Sequence, residues 1–446
     1  MEREISEKIV EWNNSRKRKP LILMGARQVG KTWLMKSFAT AAYPKKAVFV
    51  NLMKEDGLRD ALESSDLDPK SVVEIIELKK NVKIVPGETL LVLDEIQESP
   101  RALTALKFFN EDMPGLAVMA AGSLLGLSLR KGRKGDGKRI RGSFPVGKVE
   151  FLDVRPMSFW EFLRATGEEM KLEKLRQRQW KVVSLAHDDY VRLLKRYFYV
   201  GGMPEAVLDY VETGDLHEVR KTQKAILRAY DKDFEKHAKP SLLAKVRLLW
   251  GNVAAQLAKE NKKFIYTALR TGARAREYEE AIQWLDDAAM VQILRRVAPP
   301  RMPLGANADF SAFKLYVHDV GLLGAMSGLR AESILDGSAV FTNFKGAMTE
   351  QYVLQELLAA EAEMGYWSSE KGDAEVDFVL QGATEVFPLE AKAARNLKAQ
   401  SLKAYREFFH PSVCYRTSLE KFTDGKQVRD VPLYGVRSIA EEISDI

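Results

Sequence analysis

A chain of 446 residues is longer than one hydrophobic core usually organises, so about two to four domains are expected. With 46% hydrophobic and 29% charged residues it has the composition of an ordinary folded chain, which excludes the disordered and membrane-embedded classes. A single cysteine, Cys414, excludes an internal disulfide, five scattered histidines give no zinc-ligand spacing, and the net charge of +7 sits in residues 1–150, where 27 basic residues face 20 acidic ones.

Residues 1–19 are charged throughout and lack the apolar core of a signal peptide, and no later run reaches membrane-spanning length. A cytoplasmic protein without membrane contact is therefore expected. Ile5, Ile9 and Trp12 have helical spacing and lead through Arg16-Lys17-Arg18-Lys19 into an apolar run that starts after Pro20. That run, Leu21 to Met24, opens onto Gly25-Ala26-Arg27-Gln28-Val29-Gly30-Lys31-Thr32 and a helical pattern continuing with Trp33. The spacing G-x-x-x-x-G-K-[ST] is that of a phosphate-binding loop: the glycines let backbone N–H groups wrap phosphates, and Lys31 reaches the β- and γ-phosphates. Thr32 is placed to ligate Mg2+, and the helix beginning there turns its positive end toward the anion. The competing reading is a glycine-rich turn with an incidental Lys-Thr pair.

Lys45 to Val50 reads as a second strand ending at Asn51, and Ser71 to Leu78 as a helix. After the Pro86-Gly87 turn, Thr89 to Leu93 is a buried strand that ends in Asp94-Glu95. Asp94 would hold Mg2+ and Glu95 would polarise the water that attacks the γ-phosphate. Leu116 to Ala121 is a further strand, followed by Ser123, which would either sense the nucleotide or cap the next helix. Residues 130–141 then hold seven basic residues against one acid, either a grip for a phosphate backbone or a solvated loop. Val149 to Val154 supplies a fifth strand, and Ser158 can cap the helix that follows. Strands alternating with helices give an α/β three-layer core with a parallel sheet over residues 1–164.

Residues 165–238 read as a helical lid broken at Gly201-Gly202-Met203-Pro204, where Pro204 opens a new helix. Residues 239–310 show helical patterns at Val246–Leu257, Thr267–Arg274 and Tyr278–Ala289 and then a strand from Val291, which fits a winged-helix-like module or a plain helical linker. In residues 311–446 a strand from Lys314 to Asp319 precedes a helix carrying Glu350, a strand at Gly365–Ser368, and a hairpin of Glu375–Leu380 with Val386–Lys392. Alternation along the second hairpin strand puts Glu390 and Lys392 on one face. Glu350, Asp377 and Glu390 as metal ligands, with Lys392 beside them, are the parts of a metal-dependent phosphodiesterase; ordinary solvent-facing polar residues are the alternative.

These stretches resemble a family of prokaryotic AAA+-type P-loop ATPases, related to the signalling ATPases with numerous domains, that carry a C-terminal PD-(D/E)xK nuclease-like domain. The resemblance rests on Gly25–Thr32, Leu93-Asp94-Glu95-Ile96-Gln97, Ala121-Gly122-Ser123, Pro156-Met157-Ser158-Phe159, Gly201–Pro204 and Glu375-Val376-Asp377-Phe378, and it covers nearly the whole chain. It implies an ATP- and Mg2+-binding core, a helical lid, a winged-helix-like middle and a restriction-endonuclease-like α/β end with its motif at Asp377, Glu390 and Lys392. It also implies that Pro204 contacts the nucleotide and that a trans-acting arginine precedes the fifth strand, where Arg139, Arg141 and Lys148 stand. The expected function is an ATPase whose nucleotide cycle controls a nuclease-like domain acting on nucleic acid, DNA rather than RNA. The alternative is a slow nucleotide-gated switch or scaffold whose C-terminal domain only binds a partner. A homo-oligomer or a protein partner is compatible with either.

Overall fold

The continuous apolar runs of the first part become a parallel sheet because both of their faces are covered. In the computed structural model, β1 (Leu21–Met24), β2 (Ala47–Asn51), β3 (Leu90–Asp94), β4 (Ala117–Ala121) and β5 (Glu150–Asp153) lie in the order β2-β3-β4-β1-β5. All neighbours are parallel. Every residue of the central strands β3 and β4 is buried, while the edge strands β2 and β5 alternate, as covered centres and half-exposed edges require. The register aligns Leu23 with Ala121, Ala121 with Asp94, and Asp94 with Asn51, so the strands end together along one rim. In such sheets ligands sit outside the C-terminal strand ends.

Helices α1 (Ile5–Asn14), α2 (Lys31–Ala42), α3 (Asp56–Glu63), α4 (Pro69–Lys80) and α5 (Pro100–Asp112) accompany this sheet. α4 and α5 both begin at proline, and the residue before each caps it: Asp68 accepts from Lys70 N–H and Ser99 from Ala102 N–H. Ile22, Val50, Leu91, Leu93, Leu106 and Phe109 belong to the core between helices and sheet.

The structure describes residues 1–122, 145, 147–259, 263–336, 339–370, 372, 374–392 and 400–444. The chain divides into two compact units, one of Glu2–Arg155 with Asp287–Ala289, the other of Pro156–Asp286 with Met290–Ile446 and Met1. The first unit thus ends nine residues before the expected boundary at 164. Pro156 onward is tied into the second unit, where Met157 N–H donates to Gly202 O at 2.6 Å and Phe159 N–H to Glu356 Oε1 at 2.7 Å. Ser158 caps α6 (Phe159–Ala165) in a reciprocal capping box with Glu161, as its sequence predicts.

The second unit continues with α7 (Glu169–Arg176), α8 (Trp180–Leu185), α9 (His187–Val200), α10 (Pro204–Thr213), α11 (Leu216–His237), α12 (Pro240–Leu257) and α13 (Ala275–Asp287). The helix expected over Thr267–Arg274 is only a short 3-10 turn at Tyr266–Ala268, since Gly272 takes a left-handed φ of 78° and breaks the run. Beyond it lie β6 (Val291–Val297), β7 (Ala308–Val317), α14 (Val320–Met326), α15 (Ala331–Asp336), α16 (Ala339–Ala359), β8 (Met364–Ser368), β9 (Glu375–Gln381), β10 (Val386–Ala391), α17 (Gln400–Phe409), β11 (Cys414–Ser418), β12 (Thr423–Asp424), β13 (Val428–Pro432) and α18 (Arg437–Ile443). The strands form one mixed sheet in the order β12-β13-β11-β10-β9-β8-β6-β7.

Two expectations change here. The boundary at 310 falls inside β7, and the strand expected to close the middle module, β6, pairs with β7 and β8 and so belongs to the C-terminal sheet. The hairpin of β9 and β10 forms as expected, antiparallel with Leu389 opposite Phe378. Among the described residues no helix is long and apolar enough to cross a membrane.

Candidate functional site

The loop between β1 and α2 adopts positive φ at Gly25 (130°), Gln28 (66°) and Gly30 (96°). Alternating the sign of φ in this way turns successive backbone N–H groups to one concave side, an anion cradle in front of the helix N-terminus. Gly25 is required for a second reason: a Cβ there would lie 2.1 Å from Val154 O. Ala26 and Val29 are buried and fix the loop to the core, whereas Gln28 is exposed and Trp33 is 45% exposed at the start of α2. Lys31, only 8% exposed, folds back over the loop, its Nζ donating to Gly25 O at 2.8 Å and Ala26 O at 2.7 Å. Burial lowers its pKa to about 8; Glu95 and Asp94 oppose that shift and Arg27 adds to it.

Across the rim, Thr32 Oγ1 donates to Asp94 Oδ2 at 3.0 Å, and Asn51 Nδ2 approaches the same oxygen at 3.3 Å. Burial raises the Asp94 carboxyl above its ordinary range, against the Thr32 hydrogen bond. The other oxygen, Oδ1, accepts from Glu95 N–H at 3.1 Å. Glu95 itself stands in the left-handed region (φ 54°), which swings it off the strand line, and its Oε2 accepts from Gln97 Nε2 at 2.5 Å. Sequence spacing thus brings Lys31, Thr32, Asp94 and Glu95 to one rim. Ser123 and the basic segment 130–141, with Arg139 and Arg141, lie outside the described residues; Lys148 Nζ is 3.0 Å from Glu111 Oε1.

Two contributors at this loop carry no sequence spacing. Arg3, 5% exposed, donates from Nη1 to Val29 O at 3.0 Å and from Nη2 to Arg155 O at 2.7 Å, lacing the phosphate loop to the chain after β5. Asn51 serves Asp94 through its amide and, through Oδ1, accepts from Met53 N–H and Lys54 N–H. A polar residue ending an apolar strand beside the Asp-Glu strand is the only signal that marks it.

In the second unit, Pro204 opens α10 directly after Gly201-Gly202-Met203. This turn is held by Asp319, a fully buried carboxylate whose Oδ2 accepts from Gly202 N–H at 2.6 Å while Oδ1 accepts from Leu322 N–H at 2.8 Å to cap α14. A Cβ on Gly202 would lie 2.0 Å from Met157 O.

The C-terminal carboxylates gather around a lysine. Lys314 on β7 has no exposed surface, and its Nζ lies 2.6 Å from Glu375 Oε1, 3.7 Å from Glu350 Oε2 and 4.0 Å from Asp377 Oδ1. It also stands 4.9 Å from the centroid of the Tyr366 ring on β8. Burial works against this ammonium, but Glu350, Glu375 and Asp377 outweigh it and raise its pKa, so it is charged at every physiological pH. Tyr316, two residues on along β7, donates its hydroxyl to Glu350 Oε2 at 3.1 Å, and Asp377 Oδ2 accepts from Ala391 N–H at 2.9 Å. Glu390 is turned to Lys392 instead, whose Nζ pairs with its Oε1. Continuing the hairpin register by one residue sets Glu390 across from Asp377, yet among the described residues no group of three or more His, Cys, Asp or Glu side chains is disposed to hold a metal ion. Lys314 and Glu375 were no part of the expected set, because one lysine in an apolar strand and one more acid in a hairpin have no diagnostic spacing.

Comparison with known proteins gives three family matches: residues 17–163 to a family described as "AAA domain", residues 191–333 to "Domain of unknown function (DUF8612)" and residues 345–434 to "Domain of unknown function (DUF4143)". No curated protein matches the chain in sequence. Among solved structures, the Walker-type ATPase PABY2304 of Pyrococcus abyssi is 14% identical with a TM-score of 0.43, over 73% of this chain and 95% of that one. The Aeropyrum pernix ORC1 protein, solved in complex with DNA, is 13% identical with a TM-score of 0.26, over 73% and 90%. A DNA replication initiation factor is 15% identical with a TM-score of 0.25, over 63% and 75%. The family match spans the phosphate loop, the Asp-Glu strand and all five strands of the parallel sheet, so residues 17–163 are similar to an AAA domain.

Proposed function

We propose that the chain is an ATP-driven switch in which nucleotide at the first unit sets how the chain engages nucleic acid. The observation that carries this reading is the contact of Thr32 Oγ1 with Asp94 Oδ2, which aims a hydroxyl and a carboxylate at one point beside the folded-back Lys31. A hydroxyl and a carboxylate at the strand rim suit Mg2+, a hard ion that takes oxygen donors and keeps much of its water. Bound there with ATP, Mg2+ would neutralise charge on the β- and γ-phosphates. Lys31 would exchange the carbonyls of Gly25 and Ala26 for phosphate oxygens, at little reorganisation because the loop already holds its shape. Gly25 to Gly30 would cradle the phosphates, Glu95 would take the role of general base toward the attacking water, and Asn51 would orient Asp94.

Nucleic acid is favoured as the partner by a basic groove in the first unit, lined by Arg16, Lys17, Arg18 and Lys19 with Ser15, Asn110 and Pro114 and, among the described residues, by no acidic side chain. Such a groove suits a phosphate backbone. For the C-terminal sheet, binding is favoured over cleavage because Asp377, Glu350 and Glu390 each face a lysine. The test incubates the purified chain with ATP, Mg2+ and DNA or RNA and follows phosphate release, retention of nucleic acid and strand breaks together. The reading expects release of phosphate, nucleotide-dependent retention and intact strands. Strand breaks that vanish in Asp377→Ala would overturn the binding reading in favour of a nuclease.

A further inference from the structure

A cluster of carboxylates on a sheet and its flanking helix invites a divalent ion, and the resemblance noted in the sequence implies one. A hard divalent cation takes six or more oxygen donors, several of them carboxylate oxygens free to turn toward it. Here Asp377 commits Oδ2 to Ala391 N–H and turns Oδ1 toward Lys314, Glu350 Oε2 receives the Tyr316 hydroxyl and faces Lys314, and Glu375 closes on Lys314 at 2.6 Å. Glu390 gives Oε1 to Lys392, which leaves its buried Oε2 as a single oxygen without a hydrogen bond among the described residues. One oxygen is not a coordination shell. The point where the other three carboxylates converge is filled by an ammonium.

We propose that Lys314 is the resident cation of this cluster: its ε-ammonium takes the position a divalent ion would occupy between Glu350, Glu375 and Asp377, and it closes the C-terminal sheet to metal. This deepens the binding reading of the second unit and rests on it. The chemistry is consistent at each level of structure. Alternation along β7 puts Lys314 and Tyr316 on one face, and alternation along β9 does the same for Glu375 and Asp377. β6 and β8 separate β7 from β9 in the sheet, so the long lysine stem carries its ammonium to the Tyr366 ring of β8, where no backbone of β7 reaches. Without the ammonium, Glu350 would keep a buried carboxylate, 4% exposed, with this counter-charge gone. Removing one partner of a buried ion pair is strongly destabilising, and a divalent ion in the vacated space would relieve it.

The experiment measures Mn2+ binding to the full chain, without nucleotide, by electron paramagnetic resonance. It is made in an Asp94→Asn background, which removes the ATP site's metal-ligand carboxylate. This parent is expected to hold no Mn2+ at the second unit. Lys314→Met, which keeps the stem and deletes the charge, is expected to gain one site at least about tenfold tighter than any in the parent, and Asp377→Asn added to it should abolish that site. Melting is the second readout: Lys314→Met should melt below the parent and recover with Mn2+, while the parent stays unmoved. Stoichiometric Mn2+ on the parent that Asp377→Asn removes would overturn the proposal, as would a folded Lys314→Met that gains no ion. If Lys314→Met does not fold even with Mn2+, the metal titration of the parent decides alone. Loss of nucleic-acid binding by the wild-type chain would instead sink the binding reading and leave the metal result standing.

Discussion

Replacing Lys31 by methionine should make the nucleotide-free first unit more stable while removing its response to ATP. The ammonium is 8% exposed and its pKa is lowered by burial from 10.5 to about 8. At about 1.4 kcal/mol per pH unit, holding that charge in the empty loop costs the fold about 3 kcal/mol at neutral pH. Methionine fills similar space without the charge. It forfeits the hydrogen bonds to Gly25 O and Ala26 O, so about 3 kcal/mol is the upper limit of the gain. For a unit of this size that is a rise of several degrees in its melting transition, at about 2–4 °C per kcal/mol. Differential scanning fluorimetry with and without Mg–ATP measures both effects. The wild type should melt lower when empty and rise with ATP, and Lys31→Met should melt higher when empty and not respond. An empty Lys31→Met that melts below the wild type would show that the ammonium holds the loop together rather than waiting for phosphate.

Other outcomes follow from the same geometry. Glu95→Gln keeps Asp94 and the loop, so ATP should still bind while phosphate release falls by about a hundredfold or more; unchanged release would remove Glu95 from the role of base. Because the empty-loop Lys31 has a pKa of about 8 and phosphate oxygens favour its charged form, ATP binding above that pH should take up a proton and weaken as pH rises, which calorimetry in buffers of different ionisation enthalpy reads directly. Between about 8 and 10.5 the folded chain holds fewer protons at Lys31 than the unfolded one, so this residue makes the nucleotide-free unit gain stability with rising pH, the opposite sign to the binding effect. Gly202→Ala would set a Cβ 2.0 Å from Met157 O and break the 2.6 Å bond from Met157 N–H to Gly202 O. A loss of about 2 kcal/mol or more is expected in the denaturant transition of the second unit, whereas Gly251→Ala in α12, with nothing within 4 Å, should gain up to about 1 kcal/mol.

What the sequence showed most clearly was local. Gly25 to Thr32 and Leu90 to Glu95 carry their meaning in a few consecutive residues, and the strands of the first sheet stand out because burial on both faces leaves unbroken apolar runs. The β9–β10 hairpin was legible for the same reason, with its turn and alternation adjacent in sequence. Long-range choices were not legible. That β6 joins β8, rather than closing a separate middle module, depends on a pairing across more than sixty residues, and nothing in Val291 to Val297 specifies its partner. Arg3 reads as one more charge in a charged segment, although it is buried against Val29 and Arg155. Lys314 reads as the first residue of a strand, when it is the charge around which three carboxylates assemble.

The central claim, that the rim of the parallel sheet is a working ATP site, is tested most directly by steady-state phosphate release from Mg–ATP by the wild-type chain and by Asp94→Asn. The account predicts release by the wild type that saturates with ATP and requires Mg2+, and its loss in Asp94→Asn, which keeps a hydrogen-bond acceptor for Thr32 but removes the carboxylate from the metal. Release that survives undiminished in Asp94→Asn, or a wild type that neither binds nor hydrolyses ATP, would contradict it.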